Sequence, residues 1–172
     1  MTTPRSSEQA LRDVLWQALK SVDDRAPLPT FINGIGGLGS PWWRAQPVSR
    51  FIGTGDALAR FAALIESIAF MIVINARLMA QRSAPARTLL LAGGMSRSSW
   101  LCRRLADLLQ LPITVLDAEA SARGVARLAA PEIAARWPAA VHARYAPRAA
   151  PPALQARLLA FQEHLDANER EL

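Results

Sequence analysis

Apolar residues recur at helical spacing over residues 7–26, where Leu11, Val14, Leu15, Ala18, Leu19 and Val22 share one face. The pattern predicts a first helix, capped by Ser6 or Ser7 and stopped by Pro27 and Pro29. Periodicity then fails from Thr30 to Asp56, "TFINGIGGLGSPWWRAQPVSRFIGTGD", which reads as a long glycine- and proline-punctuated loop. Its large aromatics Trp42, Trp43 and Phe51 need something to pack on. Asp56 caps a long helix over about 57–81, the main core helix, which carries the run "SIAFMIVINA" between Glu66 and Arg77. That uncharged run is too short to cross a bilayer and reads as a helix buried on most sides.

The period changes at "ARTLLLAGG", a short buried strand ending in glycine. Ser96 or Ser98 caps a helix running to about Leu109, "LPITVLD" gives a second strand, and "AEASARGVARLAA" a further helix opened by acids and ended by Pro131. Pro147, Pro151 and Pro152 form a stiff connector before a last helix over about 152–168. Strand, helix, strand, helix with a right-handed crossover makes the two strands parallel. Two strands alone are marginal in water, so more strands or a covering layer are expected.

With 172 residues, 51% of them hydrophobic, the chain has material for one sizeable core and none of the signs of wholesale disorder. The start "MTTPRSSEQ" has no secretory pattern, and the one cysteine, Cys102, cannot form an internal disulfide. A cytoplasmic protein is the expectation. The net charge of +6 does not change the picture: Lys20 is the sole lysine, and the arginines are scattered among alanines without a dense basic run. A solvated arginine surface is expected, with no nucleic-acid and no membrane partner.

Candidate chemistry concentrates at the corner "LLLAGGMSRSSW", residues Leu89 to Trp100. Gly93 and Gly94 fit neither the lysine-bearing phosphate loop nor the three-glycine dinucleotide turn. They serve either a tight turn or a bare patch of backbone for a ligand, with a helix start behind them that suits an anion. Elsewhere, His142 and His164 have no ligand-spaced neighbours and are taken as surface or tail residues. Cys102 is read as a small buried hydrophobe, and Asp107 and Asp117 as capping or packing groups. Glu66 is either a site residue or a partnered structural carboxylate, and Trp42–Trp43 pack beneath the loop or stack on a ligand, packing being favoured.

The segment "LLLAGGMSRSSWLCRRLADLLQLPITVLDAEASARGVARLAA" resembles the C-terminal domain of the FGGY family of carbohydrate kinases. The matching positions are Gly93, Gly94, Ala106, Asp107, Leu111, Pro112, Glu119, Ala122, Gly124 and Ala126. Upstream, "GGLGSPWW" (Gly36 to Trp43) and "LIESIAFMI" (Leu64 to Ile72) are similar to the "GLGAPYW" loop and "LESIAY" helix of glycerol kinase and its relatives. The tail "RYAPRAAPPALQARLLAFQEHL" is similar to the family's closing helix.

The resemblance implies an α/β fold: a truncated actin-like (ribonuclease H-like) ATPase domain, with a small sheet remnant flanked by helices. Residues 1–6 would be a flexible N-terminus, 7–130 a partial kinase C-terminal domain, and 131–172 its Pro-rich connector and closing helix. The activity implied is ATP-dependent phosphorylation of a sugar or polyol hydroxyl, with ATP or ADP and Mg2+ bound between two such domains. Gly93 and Gly94 would lie against the nucleotide, and Ser98 would reach the adenine.

The family's catalytic aspartate, its phosphate-binding hairpin and most of its sugar-binding residues lie upstream of the segments matched here. The chain thus looks like the distal part of a kinase, with no catalytic residue of its own and no activity alone. Departures include Arg44 for the loop's aspartate, Val48 and Ser49 for its arginine-glycine, Met95 for a third glycine, Arg103 for a glutamine, and Gln110 for a helix-closing glycine. The competing expectation is a non-catalytic kinase remnant that binds a separate N-terminal half or itself through an exposed sheet edge. A free-standing dinucleotide-binding dehydrogenase domain ranks last, since Asp117 is its only candidate ribose ligand.

Overall fold

The computed structural model describes residues 7–34, 41, 43, 49–116, 120–132 and 140–167. The chain divides into two compact units, Met1–Gln81 with Ala150–Leu172, and Arg82–Ala149.

In the first unit, helix α1 spans Ser7–Leu19 and ends sooner than its periodicity predicts. The Asp23 carboxylate accepts from the Arg25 amide, and the Ser21 hydroxyl bonds the Ala18 carbonyl. Local side-chain bonds of this kind compete with helix continuation, so tight turns replace the last two turns expected. The stretch expected to be a loop instead holds two strands, β1 (Thr30–Ile32) and β2 (Arg50–Ile52), paired antiparallel with Phe31 opposite Phe51. Three residues each is too short for an alternating pattern to register in sequence. The Gly34 amide donates to Ser49 Oγ at 2.9 Å beyond the last strand pair. The rings of Phe31 and Phe51 meet at a tilt of 39° with centroids 4.6 Å apart, so they supply the aromatic packing of the hairpin. Trp43, expected to pack, is 79% exposed. Trp42 and most of "GGLGSPWW" lie outside the described residues, as do the N-terminal six.

Helix α2 spans Ala57–Ala80, with Asp56 as its cap accepting from the Ala59 amide at 2.7 Å. Taken whole, it is long and apolar enough to cross a membrane by length and composition. Ile65, Ala69, Phe70 and Val73 on it are buried in the core of the unit, the role its uncharged run suggests. The last helix, α5 (Pro152–Ala167), contributes Leu154, Leu158, Phe161 and Leu165 at helical spacing to the same core. Phe70 and Phe161 meet at 5.4 Å.

The second unit is a three-stranded sheet with the order β3 (Leu89–Leu91), β4 (Ile113–Leu116), β5 (Val141–Tyr145). The β3–β4 pair is parallel, as the crossover rule predicts. Strand β5, which falls in the stretch read as connector, adds an antiparallel edge. Its sequence "VHARY" alternates, but only two of its positions are strongly apolar, so the pattern is faint. Helix α3 (Ser99–Leu109) buries Leu101, Leu105, Ala106 and Leu108 with Ile113 and Val115 of β4. Helix α4 (Ala120–Ala129) follows β4 and leaves Val125 and Leu128 exposed.

Candidate functional site

The glycine corner is built by its neighbours. β3 delivers the chain to Gly93, which adopts φ +92° and ψ 178°, a region open in practice to glycine alone. A single tight helical turn follows over Gly94–Arg97. Ser96 fastens it: its amide and its hydroxyl both donate to the Gly93 carbonyl, at 3.2 and 2.7 Å. Ser98 then caps α3, its Oγ accepting from the Leu101 amide at 3.3 Å. Of the two serines read as possible caps, Ser98 is the cap of α3 and Ser96 the clamp of the turn before it.

The resulting surface is asymmetric. Residues 92–95 are exposed, while Ser96 and Ser98 behind them are buried. A Cβ placed on Gly93 would meet no atom within 4 Å. Its lack of a side chain therefore serves the backbone conformation, and the space over it is open to a ligand. Ser98 is fully buried and its hydroxyl is engaged at the helix start, so it supports the corner from beneath.

Cys102 lies one turn into α3, fully buried, with its thiol donating to the Ser96 carbonyl at 3.2 Å. Burial pushes the thiol up to about 11, which keeps it protonated and inert, in line with the reading of a small hydrophobe. Burial likewise raises the Tyr145 hydroxyl above its usual range. Arg103, standing where the resemblance places a glutamine, donates to the Ala146 carbonyl at 2.7 Å and lies 5.1 Å from the Tyr145 ring centroid.

The other sequence candidates are structural. Asp107 is 2% exposed and accepts from the Arg148 amide at 2.9 Å and its guanidinium at 2.8 Å, locking the exit of β5 to α3. Gln110, with φ +54° where a glycine is usual, donates from its carboxamide to the carbonyls of Asp107 and Arg148. Those bonds offset the cost of its left-handed backbone. Glu66 is a partnered carboxylate: Arg157 Nε and Nη2 reach its two oxygens at 2.7 and 2.9 Å. Arg157 also donates to the carbonyls of Asp24 and Ala26. His142 is exposed on β5 and His164 half-buried on α5. Asp117 and Glu119 lie outside the described residues, among which no group of three or more His, Cys, Asp or Glu side chains could hold a metal.

Sequence reading passed over Arg157 and Arg148 because, in sequence, one arginine among alanines looks like every other. Only the acids they meet, 91 and 41 residues earlier, distinguish them.

Residues 3–132 match the model of the "FGGY family of carbohydrate kinases, C-terminal domain". No curated protein matches the chain. Among solved structures, xylulose kinase from Rhodospirillum rubrum superposes with a TM-score of 0.73 at 16% identity, over 96% of this chain and 36% of its own. Gluconate kinase from Lactobacillus acidophilus gives 0.70 at 19%, over 90% and 34%. Glycerol kinase from Plasmodium falciparum, solved with ADP, gives 0.67 at 19%, over 93% and 34%. The chain spans about a third of the length of each. At these identities the likeness carries the fold, α/β with small sheets flanked by helices, as the sequence resemblance implies.

Proposed function

Because this chain belongs to the FGGY family of carbohydrate kinases, matching its C-terminal domain, we propose that it is the nucleotide-side portion of an ATP-dependent sugar or polyol kinase. Both compact units are read as parts of that one domain. The observation that carries the reading is the corner after β3: exposed backbone at residues 92–95, with open space over Gly93. The residues present fit a nucleotide there. Bare backbone lets a flat or phosphorylated group approach closely, and amides at the start of a helical turn offer donors without a buried charge. Gly93 and Gly94 form the contact surface, and Ser98 holds the helix start beneath it.

ATP or ADP bound there with Mg2+ would supply the phosphoryl group. Such transfer rests on positioning and charge stabilisation. The chain contributes one wall of that arrangement. The family resemblance puts the base, most phosphate contacts and the sugar site outside the segments matched here, and no turnover is expected from these segments alone. Its partners are the nucleotide and a separate N-terminal half or a second copy, and its compartment is the cytoplasm.

A second reading, a non-catalytic remnant acting as a binding module, is favoured by one feature. In a parallel ladder the Leu90 amide and carbonyl point away from β4, and the Leu90 side chain is 58% exposed. An edge that pairs with no further strand among the described residues can accept one.

Calorimetric titration of the full chain with Mg–ADP, repeated on Gly94→Val, separates the two. Saturable binding lost in the variant is expected. Absence of binding in the wild type would leave the corner a turn and favour the module.

A further inference from the structure

We propose that the first unit carries a second small-molecule site, a cleft between the final turns of α2 and α5 that takes a neutral polyhydroxylated ligand. Glu66 meets Arg157 and Phe70 meets Phe161, so the two helices run parallel and finish at the same end. There they part around a partly open cavity of about 430 Å3, a volume within the range of small-ligand sites. On α2, Ile74, Arg77, Leu78 and Gln81 share one face at i, i+3, i+4 and i+7. On α5, Gln162 and Asp166 stand one turn apart facing the same space. Ile74, 5% exposed, and Leu78 give an apolar floor. Arg77, Gln81, Gln162 and Asp166 give a wall of planar polar groups, and Pro41 completes the lining.

The charges select the ligand. An anion would gain Arg77 but meet the Asp166 carboxylate and the negative end of the α2 dipole. A cation would gain Asp166 but meet the Arg77 guanidinium. A hydroxyl group both donates and accepts, so a polyol can donate to Asp166, accept from Arg77, and do both with the carboxamides of Gln81 and Gln162. The C–H face of such a molecule suits Ile74 and Leu78. None of these residues belongs to the glycine corner, so the inference does not rest on nucleotide binding.

The test is an amide NMR titration of the full chain with xylitol, a neutral pentitol, against inorganic phosphate and putrescine as charged probes. Saturable shifts centred on Ile74, Leu78 and Gln81 are expected for xylitol, with a dissociation constant on the order of millimolar. The double variant Gln81→Leu/Gln162→Leu should bind at least about ten-fold more weakly, with the remaining spectrum unchanged. Should that variant fail to fold, Arg77→Met on the exposed rim should weaken binding in the same sense. No saturable response, equal affinity in the variant that folds, or tighter binding of phosphate or putrescine overturns the proposal.

Discussion

The Glu66–Arg157 pair of the first unit and the glycine corner of the second hold their polar groups in opposite ways. In the first, the deepest polar contact joins Glu66 to Arg157 across 91 residues and ties two helices and the carbonyls of residues 24 and 26. In the second, the polar contacts beneath the glycine corner are local: Ser96 to Gly93, Ser98 to Leu101, Cys102 to Ser96. The difference teaches where each of these two features gets its shape. The corner is specified by about ten consecutive residues, whereas the first unit depends on a match between distant parts of the chain.

The largest effect that can break this contrast comes from Arg157→Ala. It leaves the carboxylate of Glu66, 2% exposed, without its guanidinium, and a loss of about 3–5 kcal/mol is expected in urea unfolding. A loss under about 1 kcal/mol would show that the pair behaves like an exposed one and that the contrast is only geometric. Ser98→Ala should have a smaller effect, about 1 kcal/mol for a lost cap. Hydrogen exchange can locate it, and faster exchange confined to the start of α3 would sharpen the picture of a locally built corner. Exchange spreading to β4 would contradict it.

The smallest effect is one of pH. The Cys102 thiol rises from 9.0 unfolded to about 11 folded through burial, with Arg103 opposing. Its contribution to stability is complete below pH 9 and is lost as pH climbs through 11. Tyr145, raised by burial and by the neighbouring thiol, adds to the same decline. Cys102→Ala should therefore flatten, without abolishing, the fall in unfolding free energy between pH 9 and 11. An unchanged slope would mean that the thiol is more accessible than its contacts indicate.

What sequence could and could not show follows the same division. Asp56 and α2, a serine cap on α3 (Ser96 or Ser98) and the buried Cys102 were legible because near neighbours determine them, and the parallel β3–β4 pair because the handedness of the crossover does. Strands β1, β2 and β5 were not, since three to five residues of mixed polarity become strands only when a partner strand from elsewhere lies alongside. The exposure of Trp43 escaped for a related reason: aromatic character announces a need for packing, but Phe31 and Phe51 met it first. At the site, Gly93 was legible as a corner. The role of Ser98 as a buried support was visible only with the direction of its hydroxyl.

The division of the chain also bears on the order of its synthesis. The second unit, Arg82–Ala149, is an uninterrupted stretch, while the first is made of Met1–Gln81 and Ala150–Leu172. As the polypeptide leaves the ribosome, the sheet with the glycine corner can close once residue 149 has emerged. The older segment, with α1, the hairpin and α2 already made, must wait with Phe70 lacking its partner ring until Phe161 arrives. The nascent chain thus completes its later-made unit first, and any chaperone that attends it would be needed by the earlier one.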